Sequence, residues 1–285
     1  VNRPRAVRPR SAAYRRLLVL AVAGLAAVSI ARAASGPIQL PKGLPADLWE
    51  ILIPPENPVT PEKIELGRRL YYDKSLSADG TVSCATCHDP EKGFADGKKV
   101  GEGIGGKKGA RNSPTVLNSM FNEFQFWDGR ASTLEEQAKG PMTNPVEMGM
   151  KDHDMVVAAV MKDPAYVADF QKIFGHAPTI DDVAAAIATF ERTVVSGDSA
   201  FDRFQAGDKL AMSESAQRGW VLWNGKARCN TCHPFAANTP NFSDNKFHNI
   251  GVAAKGRDFG ALARKAAQVA DPQELAFDPN FSELG

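Results

Sequence analysis

Apolar residues recur at helical spacing along most of the chain, and no segment sustains the alternation of a strand. Thr60-Pro61-Glu62 reads as an N-cap with proline at the first helical position, after which Ile64, Gly67, Leu70 and Tyr71 share one face. Ser132 with Glu135 reads as a capping box opening a helix at Leu134–Ala138. Short helices are expected over Asp154–Met161 and Ala165–Phe174, separated at Pro164 and ended by Gly175. Thr179 with Asp182 opens the clearest helix, in which Val183, Ile187, Phe190 and Val194 keep the period. Ser213 opens another, running through Trp220, Val221 and Leu222. The pattern predicts a mainly α chain with long loops.

Composition changes this picture at the N-terminus. The 285 residues are 43% hydrophobic and 24% charged, which is globular rather than disordered. Residues 1–33 hold seven arginines and no acid, and the rest of the chain then has 27 basic against 33 acidic residues. A nucleic-acid protein keeps its basic excess in the folded part, so a nucleic-acid partner is not expected. The basic stretch Arg3 to Arg16, the uncharged run Leu17 to Ile30 and Ala31-Arg32-Ala33 have the layout of a cleavable signal peptide over residues 1–33. The apolar run is short for a membrane span. Export to a bacterial periplasm is the expectation.

The four cysteines fall in one pattern used twice, Cys84-Ala85-Thr86-Cys87-His88 and Cys229-Asn230-Thr231-Cys232-His233. C-x-x-C-H is the attachment sequence of c-type haem. Two thiols three positions apart reach the two vinyl groups on one porphyrin edge, and the adjacent imidazole lies under the iron. Zinc would need the two pairs to converge. A redox C-x-x-C is a single motif, and a disulfide inside each pair would be strained. Two covalent haem c groups are the reading, with His88 and His233 as proximal iron ligands. Each motif follows a glycine-bearing amphipathic helix (Gly67, Gly219) and precedes a similar stretch, Phe94-Ala95-Asp96-Gly97-Lys98 or Phe242-Ser243-Asp244-Asn245-Lys246. This diverged repeat implies two tandem cytochrome c-like domains, 34–196 and 197–285, with a boundary near Ser196-Gly197-Asp198. The glycine-rich Gly101–Gly106 lacks the strand and the Lys-Ser/Thr of a phosphate loop, and reads as a flexible loop approaching a haem face.

Between the two motifs come, in order, Arg111-Asn112-Ser113-Pro114-Thr115, Phe126-Trp127-Asp128-Gly129-Arg130, Gln137, Pro141 and Pro145-Val146-Glu147-Met148. From about Thr60 onward this order resembles the bacterial dihaem cytochrome c peroxidase family, which includes MauG. The resemblance implies a peroxidatic first haem and an electron-transferring second haem. It implies Glu147 and Gln137 as the distal-pocket pair, Trp127 between the haems, Pro141 lining the pocket, and Asn112 as a ligand of an interdomain calcium. By residue type alone Glu147 is a solvated loop acid, Gln137 a surface helix residue and Trp127 a large core aromatic. Arg130 is suited to a haem propionate or a surface ion pair. His248 is expected to hydrogen-bond rather than ligate iron, and His153 and His176 to be solvent-exposed.

Two departures from the family pattern matter. Many members carry a distal histidine in the glycine-rich loop; counting back from Arg111, the matching position is Ile104, and residues 89–152 contain no histidine. An open coordination position on the first iron is therefore expected. The family's sixth ligand of the second haem is a downstream Met or Tyr, whereas the last Met is Met212 and the last Tyr is Tyr166, both before His233. The C-terminal domain is therefore expected to be incomplete. The leading expectation is a periplasmic enzyme that reduces H2O2 with electrons from a small cytochrome c or cupredoxin. A MauG-like oxidase acting on a protein substrate and a non-catalytic dihaem carrier are the competing classes. A homodimer is left open.

Overall fold

The computed structural model describes residues 38–236, 238–248 and 258–269, and the expected signal peptide lies outside them. The described residues from Leu40 onward form one compact unit. Among the described residues the structure is helical, with only isolated β-bridges, as the periodicity predicts. No described helix is long and apolar enough to cross a membrane.

The helices, in order, are α1 (Ala46–Ile51), α2 (Pro61–Tyr72), α3 (Cys84–Cys87), α4 (Leu134–Thr143), α5 (His153–Met161), α6 (Pro164–Phe174), α7 (Ile180–Glu191), α8 (Ala200–Gln205), α9 (Glu214–Asn224) and α10 (Phe259–Ala266). Local chemistry places their ends. Thr60 caps α2 by accepting from Lys63 N–H, Thr179 and Asp182 cap α7 reciprocally, and Ser213 caps α9. Gly175, in the left-handed region at φ +84°, ends α6.

The ends of α4 and α7 depart from expectation, and α5 and α6 each start one residue early, at His153 and Pro164. Thr133, not Ser132, caps α4, and Glu136 rather than Glu135 folds back to bond Ser132. That releases Glu135 for a long-range pairing with Arg192. Helix α4 also runs on through Pro141 to Thr143, although proline at 141 cannot donate the bond to Gln137 O. Helix α7 stops at Glu191, so Val194 is buried beyond the helix rather than on it.

The core lies where α2 and α4 pack on α7. Gly67 allows the closest approach: a Cβ there would stand 1.9 Å from the carbonyl oxygen of Ala186. Leu66, Leu70 and Tyr71 of α2 meet Val183, Ile187 and Phe190 of α7, with the Tyr71 and Phe190 rings edge-on at 5.1 Å. A buried polar cluster ties this core together. Lys63 Nζ donates to Asn57 Oδ1 (2.9 Å), Asn57 donates to Glu135 (2.6 Å), and Arg192 pairs with Glu135 (2.7 Å). Burial lowers the Lys63 pKa, with the Arg192 charge as the next cause.

No described residue beyond Val194 is fully buried. There an aromatic cluster of Phe201, Trp220, Trp223, Phe235 and Phe242 holds α8 and α9 beside the second cysteine motif. The expected boundary falls at a kink, with Asp198 in the left-handed region and its N–H bonded to Lys42 O (2.7 Å).

Candidate active site

The first cysteine motif opens onto a cavity of about 400 Å³, within the usual range of small-molecule sites. Cys84, Cys87 and His88 line it together with Gln137, Pro141, Glu147 and Trp127. Thus the expected distal pair Gln137 and Glu147, the expected pocket-lining Pro141 and Trp127, expected between the haems, all stand around the cavity of the first cysteine motif. Gly101, Glu102 and Gly103 line the same cavity, but the Gly101–Gly106 segment is held rather than free. Gly101 N–H bonds Arg111 O, Gly103 N–H bonds Lys107 O, and Ile104 N–H bonds Glu147 O (2.8 Å).

The motif suits a covalently attached haem. His88 Nδ1–H donates to Pro114 O (2.9 Å), which fixes the tautomer and leaves Nε2 with its lone pair. Burial lowers the His88 pKa, keeping the ring neutral as a metal ligand requires. The Tyr71 hydroxyl donates to His88 O (3.0 Å) and steadies the ligand's backbone. All four cysteines are free, so no disulfide forms within either pair. Burial raises the pKa of both Cys84 and Cys87. Among the described residues, no three His, Cys, Asp or Glu side chains are placed to share an ion.

The second motif repeats this geometry. His233 Nδ1–H donates to Phe242 O (3.0 Å), and the Trp223 indole donates to His233 O (3.2 Å), in the place where Tyr71 serves His88. The trailing stretches also match: Phe94 and Phe242 both have positive φ, and Asp96 and Asp244 each accept from the N–H of the lysine two residues on. Cys229 to Thr231 forms a single tight turn, with Cys232 and His233 following it.

Around the first cavity, Glu147 accepts from Asn144 Nδ2 (2.8 Å), and burial raises its pKa against the pull of the Arg130 charge and that hydrogen bond. It is not a solvated loop acid. Trp127 is 53% exposed and its indole donates to Asn112 O (2.9 Å), so it is a rim residue and not a core aromatic. Its loop is pinned by Asp128, which pairs with both Arg111 and Arg130. Burial pushes the Asp128 carboxyl up, but the two guanidiniums outweigh this and hold it below its ordinary value. Arg130 also lies 3.5 Å over the Phe126 ring.

Residues 61–210 match the family model described as di-haem cytochrome c peroxidase. The chain belongs to the di-haem cytochrome c peroxidase family. It is 45% identical over 209 residues to the methylamine utilization protein MauG of Methylorubrum extorquens, covering 73% of this chain and 58% of that protein. It is 43% identical over 232 residues to the cytochrome c peroxidase Ccp of Escherichia coli, covering 81% of this chain and 44% of that protein. The chain thus spans about half the length of these two relatives. A solved MauG-like protein associated with microbial copper homeostasis superposes with a TM-score of 0.61 at 33% identity, covering 79% of this chain and 61% of that one. A mainly helical fold and two haem c groups follow from membership of this family.

Other expected residues lie as follows. The Ile104 side chain packs against Gly149, with a Cβ built there 3.0 Å from Ile104 Cδ1, and it does not line the cavity. Asn112 is exposed and donates to Lys98 O (2.6 Å). His248 hydrogen-bonds Asp244 (2.8 Å), and His176 is exposed. His153 is half-buried against Lys139 O, because its ring covers the end of α4. The residue that sequence reasoning missed is Glu191. It lines the cavity, is 5% exposed, and its Oε2 has no partner. The available signal was its position in the period of α7, where Val183, Ile187 and Glu191 share a face that should be apolar throughout.

Proposed function

We propose that the chain carries the catalytic part of a periplasmic dihaem c-type peroxidase that reduces H2O2 to water with electrons from a small cytochrome c or cupredoxin. The observation that carries this reading is a carboxyl, Glu147, held with raised proton affinity in the same cavity as Cys84, Cys87 and a neutral His88. A haem held there supplies the iron at which peroxide is reduced. The chain's own groups do the rest. Cys84 and Cys87 would fix the porphyrin edge, and His88 presents Nε2. Glu147 would move a proton from one peroxide oxygen to the other as the O–O bond breaks, so that with two electrons from the donor and two protons from water H2O2 leaves as two waters. A carboxyl does this near neutral pH only when desolvation brings its pKa toward the working range. Gln137 donates a hydrogen bond to the peroxide, and Trp127 at the rim relays electrons from the second haem at His233 toward the first cavity. The calcium at Asn112 and a homodimer rest on the resemblance alone.

The Glu147→Gln variant tests the reading: peroxide turnover falls by about 10²-fold or more while both haems stay attached. Full activity in that variant removes it. A second reading, a MauG-like oxidase acting on a protein substrate, is favoured by Ile104, which turns from the cavity and leaves His88 as its sole described histidine. Peroxide-driven oxidation of a partner protein without an added electron donor would select it.

A further inference from the structure

Glu191 has no part in the peroxide chemistry above, yet its position needs a reason. It ends α7, one turn beyond Ile187, and both line the first cavity. Its Oε2 is buried without a hydrogen-bond partner, and a buried polar atom left alone costs about 1–3 kcal/mol. The groups around it come from every neighbouring element. Arg192 follows it in the chain and attracts its negative charge; Glu135 of α4 repels it. Tyr71 of α2 and Cys84 of α3 feel its charge in turn. Arg192 is already paired with Glu135, so the charge on Glu191 has no dedicated partner within the protein. Such a group is neutral or charged according to what else the cavity holds.

We propose that Glu191 is the proton acceptor coupled to reduction of the first haem: as one electron enters from a one-electron donor, Glu191 Oε2 takes one proton from water, and it returns that proton when the electron leaves. The inference rests on haem attachment at Cys84 and Cys87. Its physical basis is charge balance in a site of low dielectric. Adding an electron removes one positive charge from the cavity and strengthens the carboxylate's hold on a proton; removing it does the reverse. Burial already pushes the Glu191 carboxyl up to about 8, against the pull of Arg192, so it titrates where the exchange is useful.

The test is redox potentiometry of the haem-loaded protein across the neutral range. A pyridine haemochrome assay first confirms two attached haems; failure at that point sinks the attachment reading and this proposal with it, whereas failure of the potentiometry sinks this proposal alone. In the parent protein one haem potential falls as pH rises. In Glu191→Gln that potential becomes flat and lies higher at the alkaline end, because the negative charge that lowered it is gone. Retention of the slope in Glu191→Gln, or its loss in Glu147→Gln instead, overturns the proposal. A measurement on the unmodified protein covers the case in which the variant fails to fold. Its redox-difference infrared spectrum gains the C=O stretch of a protonated carboxyl on reduction, and absence of that band also overturns it.

Discussion

Substitution of Gly103 by alanine tests how the cavity positions its acid. Gly103 is buried, and a Cβ on it would stand 2.2 Å from Val146 O, 2.5 Å from Glu147 O and 2.6 Å from Glu147 Cα. All three are backbone atoms, so no side chain can swing aside. Ordinary contact begins near 3.4 Å, and the loop carrying Glu147 must therefore retreat by about 1 Å. That displacement stretches the 2.8 Å bond from Ile104 N–H to Glu147 O, worth about 1 kcal/mol. Overpacking adds about 1–3 kcal/mol. At roughly 2–4 °C per kcal/mol for a domain of this size, the melting temperature falls by several degrees. The larger effect is on chemistry, since a misplacement of about 1 Å costs about 10²-fold in rate. Haem content is unchanged, because neither cysteine motif moves. Peroxide turnover and a thermal melt of the haem-loaded Gly103→Ala protein decide the matter. Turnover within about twofold of the parent would show that this close approach does not set the position of Glu147.

Three further outcomes follow from the packing and charge. Gly67→Ala drives a methyl into Ala186 O at the α2–α7 crossing, and the expected net loss of about 1–3 kcal/mol outweighs the gain of about 1 kcal/mol in helix propensity; an unchanged melt would refute the contact. Glu191 in the fold holds its proton up to about pH 8, above an unfolded glutamate, so the parent loses stability as pH rises from the ordinary carboxyl range through that value. Glu191→Gln is therefore more stable than the parent at alkaline pH by a few kcal/mol, and this advantage vanishes near pH 4; denaturant titrations that show the same difference at both ends would contradict it. Tyr71→Phe removes the hydroxyl that donates to His88 O, for a loss of about 1 kcal/mol with both haems retained; loss of the first haem would give Tyr71 a larger role.

The local signals were legible because their physics is local. Thr60, Thr179 and Ser213 satisfy backbone donors three residues on, and each caps the helix its position announced. Cys84, Cys87 and His88 stand within a single turn, so a spacing suited to thioether attachment and iron ligation is readable at that range. The order of the loop motifs grouped Gln137 and Glu147 with the first cysteine motif, and both line its cavity. The capping box at Ser132 failed for a related reason. Thr133 and Glu136 offer the same spacing one residue later, and only the packing of Glu135 against Asn57 and Arg192 chooses between the two registers.

What the linear chain determined is helices α2, α4 to α7 and α9, the two C-x-x-C-H motifs and the family to which they belong. What the tertiary structure alone decided is the environment of each polar group. Glu147 and Glu191 have the same side chain as the exposed Glu62; they differ in whether the packed helices and loops remove water from around the carboxyl. Desolvation is a property of everything nearby, drawn from α2, α3, α4 and α7 at once, and no window of sequence contains it.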